Sequence, residues 1–358
     1  MATQISPQQR ALNFGAFTRK HMQTLGSQKG TANSHLEFEV PKARLLQSIN
    51  LLVDVTLKKG AASETSFNSL NDKLSLYDVL RRVGVDYNNG FSPVVASGKD
   101  LIIMNMLRTT PECVVPSTFT DKTLCTIVTP ALKSETEDKL VLNSATEVHY
   151  YFYLEIPLTL NERDPSGLVL AQNGQTLINF SCDIAGTVFD IPVENVTVTP
   201  VLNTFSVPTQ AEAFPDLSVL KIVDSRKETF TGGGSNLVKL PVGQIYRKLV
   251  IKLEDEDGNP IKPEDITSNI ELLFNTADIP YSVNPYVLRM RSVSETGGRL
   301  PEGYYVFDFS YQGTPNYGGS RDYIDCERLT TFELRFTTVK SGRITVISEK
   351  ISRLIASK

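Results

Sequence analysis

The chain has 358 residues, 41% hydrophobic and 21% charged, with 22 Gly, 19 Pro and no Trp, a composition that fits about two ordered domains of roughly 100–200 residues each and excludes a disordered chain or a single small module. No apolar run approaches the roughly 20 residues that cross a bilayer, and Met1-Ala2-Thr3-Gln4 opens no basic cluster with an apolar stretch behind it, so the expectation is a chain made in the cytoplasm without a secretory leader. Residues 1–30 hold Arg10, Arg19, Lys20 and Lys29 and no acid, which leaves 32 of the 36 basic residues against all 40 acidic ones in the remainder; an acidic body excludes wrapping of nucleic acid by that body.

Ser6, Pro7 and Gln9 stand as N-cap, first-turn proline and capping-box residue, which predicts a helix from Ser6 to about Leu25 with Phe14, Phe17, His21 and Leu25 near one face. Gly26-Ser27-Gln28-Lys29-Gly30 reads as a linker, so residues 1–34 form a basic helical arm. From His35 the period changes to two. Leu36, Phe38 and Val40 alternate with Glu37 and Glu39, and Ile49, Leu51, Val53, Val55 and Leu57 alternate with Asp54, Thr56 and Lys58, the pattern of strands with one buried face. Apolar residues at 76, 79, 80 and 83 predict a short helix over 74–83, Asn89-Gly90 a turn, and 99–108 fits helix or strand. Val148, Tyr150, Phe152, Leu154 and Ile156 alternate cleanly with His149, Tyr151, Tyr153 and Glu155. Short strands continue at 177–182, 188–191 and 196–201, a punctuation that suggests sandwiches or barrels.

Val207-Pro208-Thr209-Gln210-Ala211-Glu212-Ala213-Phe214-Pro215 interrupts this pattern. It sets an expected junction at 207–216, between a first β domain at 35–206 and a second at 217–358. The order of events then repeats. Residues 237–253, with Leu249, Ile251 and Leu253 alternating before Asp257-Gly258, answer the segment that ends at Leu57 before Gly60. A second helical spacing at 263–274 answers 74–83, 302–309 answers 147–154, and 331–339 with 343–351 answers 176–201. Two copies of one β architecture are the economical reading.

Residues that would carry chemistry are sparse. Cys113, Cys125, Cys182 and Cys326 show no CxxC spacing and His21, His35 and His149 form no pair, so neither a zinc nor a thiol-redox site is expected and the thiols read as reduced and buried. His149 reads as a surface or interface imidazole. Thr231-Gly232-Gly233-Gly234-Ser235-Asn236 lacks the Lys-Ser/Thr of a phosphate loop and reads as a flexible loop. Glu254-Asp255-Glu256-Asp257-Gly258 lacks calcium-loop spacing and reads as a solvated hairpin turn. Sequons at Asn179 and Asn195 mean nothing without a secretory route. No catalytic residue, metal or cofactor is therefore expected. The long polar insertions at 111–146 and 308–328 suit a protein that tiles a surface, and equally an adhesive or carbohydrate-binding β-sandwich.

Tyr150-Tyr151-Phe152-Tyr153-Leu154-Glu155-Ile156-Pro157-Leu158, followed by Asp164-Pro165-Ser166-Gly167-Leu168-Val169-Leu170-Ala171-Gln172-Asn173 and Gln175-Thr176-Leu177-Ile178-Asn179-Phe180, resembles the major capsid protein of tectiviruses, tailless icosahedral phages with an internal membrane. Pro7-Gln8-Gln9-Arg10-Ala11-Leu12 and Leu300-Pro301-Glu302-Gly303-Tyr304-Tyr305 are similar to further family segments; the absence of Trp and the divergence over 60–145 depart from it. The resemblance implies an all-β double jelly roll, two side-by-side eight-stranded antiparallel jelly rolls with an N-terminal helix and short connecting helices. It implies homotrimers forming pseudo-hexagonal capsomers that tile an icosahedral shell. The implied partners are neighbouring capsomers, minor capsid proteins and the viral internal membrane. It places the protein in the virion, after synthesis in a bacterial cytoplasm, with no enzymatic activity. On that reading Arg10, Phe14, Phe17, Arg19, Lys20 and Lys29 are candidate membrane or capsomer contacts of the arm.

Overall fold

A computed structural model describes residues 7–58, 65–67, 74–88, 90–108, 125–127, 131–133, 140–142, 147–160, 165–172, 175–296, 300–310 and 323–353. The chain divides into two compact units, residues 1–221 with 353–358 and residues 222–352. The division falls inside a strand, a few residues past the 207–216 stretch.

In the first unit, helix α1 (Pro7–Phe17) leads into β1 (Lys20–Thr24), β2 (Gln28–Gly30), β3 (His35–Glu39), β4 (Leu45–Lys58) and β5 (Thr65–Phe67). Next come β6 (Leu80–Tyr87), β7 (Phe91–Ala96), helix α2 (Gly98–Met106), β8 (Cys125–Ile127), β9 (Ala131–Lys133) and β10 (Leu140–Leu142). The unit continues through β11 (Glu147–Pro157), β12 (Val169–Leu170), β13 (Ile178–Ile184), β14 (Thr187–Val188) and β15 (Ile191–Phe205). One antiparallel sheet runs β15, β4, β11, β8, with β1 and β2 both on the free side of β15; another runs β7, β6, β13, β3, and a small third sheet joins β5, β10 and β9. Counting β1 with β2 as one interrupted strand, and setting aside the short β5, β8–β10, β12 and β14, the sheets read first, eighth, third, sixth and second, seventh, fourth, fifth. That is the strand order of a jelly roll.

The second unit repeats it. Its strands are β16 (Val219–Phe230), β17 (Ser235–Leu240), β18 (Ile245–Asp255), β19 (Ile270–Phe274) and β20 (Asp278–Val283), then helix α3 (Pro285–Glu295), β21 (Tyr304–Asp308), β22 (Ile324–Asp325), β23 (Phe332–Thr337) and β24 (Gly342–Arg353). They are ordered β16, β24, β18, β21 in one sheet and β17, β23, β19, β20 in the other. Both units place a one-turn 3-10 helix before the fourth strand, at Leu76–Val79 and Pro263–Asp265, and an α-helix between the fifth and sixth.

Period-two apolarity fills the cores. Ile49, Leu51, Val53, Val55 and Leu57 of β4 and Tyr150, Phe152, Leu154 and Ile156 of β11 are buried, each large side chain contributing about 1.5–3 kcal/mol by leaving water. Phe152 packs edge-on to Tyr77 at 4.7 Å, and the Tyr150 hydroxyl donates to the Leu76 carbonyl at 2.9 Å, tying the 3-10 turn to the sheet. In the second unit both sheets feed one core, with Leu240, Phe332 and Phe336 from one sheet and Phe230, Tyr246, Leu249, Tyr305 and Phe307 from the other.

Several sequence expectations are corrected. The first helix ends at Phe17, because residues 20–24 gain a full ladder against β15, from Lys20 opposite Phe205 to Thr24 opposite Val201. Residues 28–30 of the expected linker also pair, with 196–198. The helical spacing at 74–83 and 263–274 yields one 3-10 turn each and then the strands β6 and β19, whose backbone groups find partners in β13, β7, β23 and β20. Residues 237–253 belong to two strands in different sheets, parted at Gly243, whose φ is +79°. Residues 188–191 form a hairpin in which Phe189 and Asp190 both take positive φ, the geometry that matches the twist of a two-residue turn. The ambiguous 99–108 segment is α2, capped by Ser97, whose side chain accepts from the Asp100 amide at 3.2 Å. The glycine-rich 231–236 loop is a braced turn: Asn236 accepts from the Thr231 amide at 3.1 Å and donates to the Thr231 carbonyl at 2.8 Å. Most of 111–146 and 308–328 lies outside the described residues.

Candidate assembly surface

The arm is fixed to the first unit by one aromatic anchor. Phe14 is 5% exposed and meets the Phe205 ring edge-on at 5.2 Å, in a socket of Leu45 and Leu168 with Leu170, Val207 and Leu217 around it. Thr18 closes the helix by returning both its amide (3.0 Å) and its hydroxyl (2.6 Å) to the Phe14 carbonyl. Arg19 and Ser206 then exchange hydrogen bonds, Arg19 N to Ser206 Oγ at 2.9 Å and Ser206 N to the Arg19 carbonyl at 3.0 Å. The chain enters β1 at once.

This geometry separates the candidate residues. Phe14 is buried, whereas Phe17, on the last helical residue before the turn into β1, is 51% exposed, so the two do not share one apolar face. Arg19, Lys20 and Lys29 are exposed and Arg10 is partly buried. Arg10 lies close enough to Asp216 to help hold its carboxyl below the usual range, after the larger effect of hydrogen bonds from the Ser218 hydroxyl and amide. Leu12 and Met22, at 69% and 71% exposed, join Phe17 as exposed apolar residues of the arm. Sequence reading missed both, because an exposed apolar residue looks like a core residue until the fold supplies its face. A second exposed apolar set, Tyr286, Val287 and Met290, lies on α3.

Residues with latent chemistry have structural partners. His149 Nε2 shares a hydrogen bond with Asp54 Oδ1 at 2.6 Å, and His35 Nδ1 with Asp183 Oδ1 at 2.5 Å. Cys182 and Cys326 are buried free thiols; burial pushes the first up strongly and the second up to about 12, which leaves little thiolate at neutral pH. Cys113 lies outside the described residues. Asp255 accepts from the amides of Asp257 (3.1 Å) and Asn259 (2.8 Å), so that carboxylate closes the acidic turn on itself. Among the described residues, no three metal-binding side chains stand together.

Two jelly rolls in tandem define the class of fold. No protein-family model matches the chain, and no curated protein sequence matches it. Solved structures do. The major capsid protein of STIV, the Sulfolobus Turreted Icosahedral Virus, aligns with a TM-score of 0.67 at 14% identity, over 94% of this chain and 97% of that one. The PBCV-1 virus capsid model aligns at 0.62 and 10% identity over 95% and 98%, and the major capsid protein P2 of bacteriophage PM2 at 0.57 and 10% identity over 94% and 98%. These neighbours are double jelly-roll proteins, and the present chain has the double jelly-roll fold along nearly its whole length.

Proposed function

We propose that this chain is the major capsid protein of a tailless icosahedral virus of the tectivirus type, a structural protein without enzymatic activity that forms pseudo-hexagonal homotrimers tiling a shell over an internal membrane. The observation that carries the reading is the doubled strand order, matched end to end by viral major capsid proteins. Three copies of a two-unit chain set six similar units around one axis, which suits hexagonal tiling from a trimer. Neighbouring capsomers and minor capsid proteins are the expected protein partners, and the virion is the expected location after synthesis in the host cytoplasm.

The arm is the membrane or capsomer contact on this reading. Arg19, Lys20 and Lys29 supply exposed positive charge and Leu12, Phe17 and Met22 exposed apolar surface, a pairing suited to an anionic interface. At about 1 kcal/mol per basic side chain near an anionic leaflet, the three charges give about 3 kcal/mol per subunit, weak singly and effective through multivalency. Native mass spectrometry should give a stable homotrimer; a monomer whose mass shifts on adding sugars would replace this reading with a carbohydrate-binding one. Flotation with anionic vesicles tests the arm: reversing Arg19 and Lys20 to Glu together with Phe17→Ser should abolish flotation and leave the trimer intact, and unchanged flotation refutes the membrane role.

A further inference from the structure

We propose that the second unit carries a covalent staple, an isopeptide bond between the Lys248 side-chain nitrogen and the Asp308 side-chain carbon, formed after folding. Lys248 of β18 stands directly opposite Asp308 of β21, and Nζ lies 2.6 Å from Oδ2. Their side chains are 10% and 4% exposed. On the other flank of Lys248, the residue in register on β24 is Glu349, whose side chain is 6% exposed. Directly opposed residues share a sheet face, so Lys248 and Asp308 meet on one face, while the Glu349 side chain, beside the bulge between Tyr246 and Lys248, pairs with Arg247. Asp308 Oδ1 is held separately, by the Ser310 amide at 2.9 Å and hydroxyl at 2.6 Å. Arg247 Nε lies 3.3 Å from Glu349 Oε1. In the Lys350–Asp224 pair of this unit the aspartate side chain is 42% exposed, and in Lys340–Asp265 the lysine side chain is 52% exposed. Among the described Lys–Asp pairs of this unit, only Lys248 with Asp308 is enclosed at both ends.

Enclosure supplies the drive and register supplies the geometry. A buried ammonium and carboxylate keep a desolvation cost that their attraction offsets only in part; condensing them to a neutral amide removes both charges. Asp308 Oδ2, 2.6 Å from Nζ, takes one ammonium proton, which frees the nitrogen lone pair and leaves Asp308 as the neutral acid. That pair attacks Asp308 Cγ at a contact distance already set by the sheet. Charge developing on Oδ1 meets the two Ser310 donors, which then bond the amide carbonyl. A second proton passes from the nitrogen to the Oδ2 hydroxyl, the Cγ–Oδ2 bond breaks, and Oδ2 leaves as water carrying two of the three ammonium protons. The third stays on the amide nitrogen. Ammonium plus carboxylate gives amide plus water, and no other reactant is needed.

The test is the denatured intact mass of the purified full-length chain, followed by tandem mass spectrometry of a protease digest. The expected result is a mass lower by one water and a branched peptide joining the Lys248 and Asp308 segments. Lys248→Arg keeps the cation but lacks the amine and should return its full sequence mass, as should Asp308→Ala, which lacks the carboxyl carbon. A folded wild-type chain at full sequence mass overturns the proposal, as does a water loss without the branched peptide or one that persists in Lys248→Arg. If either variant fails to fold, the wild-type spectrum decides alone. The readout is independent of trimer formation, so it stands or falls apart from the capsid reading.

Discussion

The two units share a strand order and part ways at the same two places. The first strand of the second unit is the continuous 12-residue β16, whereas its counterpart is broken into β1 and β2, both laid on β15, where the arm enters. The helix between the fifth and sixth strands is buried along its whole length in the first unit. In the second, α3 buries only Pro285, Leu288 and Ser292 and exposes Tyr286, Val287 and Met290. Interior strands are held on both sides by hydrogen-bonding neighbours and cannot vary without breaking a ladder. Edge strands and connections carry fewer obligations, so they are where a repeated fold becomes specialised.

The largest expected effect tests the shared core. Phe152→Ala and Phe332→Ala each remove a fully buried ring and should cost about 3–5 kcal/mol, measured by denaturant unfolding. Hydrogen exchange should show the loss of protection in the unit that carries the substitution; a silent Phe152→Ala would mean that β11 buries its other face. Gly303→Ala comes next. Gly303 enters β21 at φ +79°, and an added Cβ would sit 2.8 Å from the Leu253 carbonyl, so a cost of about 1–3 kcal/mol is expected.

The two connecting helices offer a matched pair. Asn284 caps α3 through the Tyr286 amide at 2.9 Å, as Ser97 caps α2. Asn284→Ala should cost about 1 kcal/mol, as for an exposed cap. Ser97→Ala should cost more, because the stranded Asp100 amide then lies in a buried helix. Equal losses would erase the contrast drawn between α2 and α3. The smallest effect is a pH dependence contributed by Asp216 of the first unit. Asp216 has a lowered folded-state pKa, so its contribution is complete above the ordinary carboxylate range and is lost as pH falls through the lower folded value. Asp216→Asn should flatten that acid limb by slightly lowering stability at neutral pH, with little change below the folded-state value.

The repeat was readable in the sequence. Segments 147–154 and 302–309 match as sixth strands, 74–83 and 263–274 as the connection into the fourth, and 331–351 and 176–201 as seventh and eighth. What failed was the type of element in the second of these pairs. Leu76, Val79, Leu80 and Val83 are all buried, and a short segment covered on both faces loses the alternation that marks a strand. The arm failed differently. Residues 20–24 have no apolar pattern at all, and only the free side of β15, contributed from residues 201–205, makes them a strand.

The sequence by itself determined the class of fold, the doubling and the interior strands, because alternating apolarity over β4, β11 and β15 leaves one burial pattern that hides those side chains from water. Tertiary structure alone decided where the arm is anchored and which of its residues remain outside. It also decided that Lys248 and Asp308 meet. Those outcomes depend on contacts between residues far apart in the chain, such as Phe14 with Phe205 and Lys248 with Asp308. Local spacing holds no record of partners that only the closing of the sheets brings within reach.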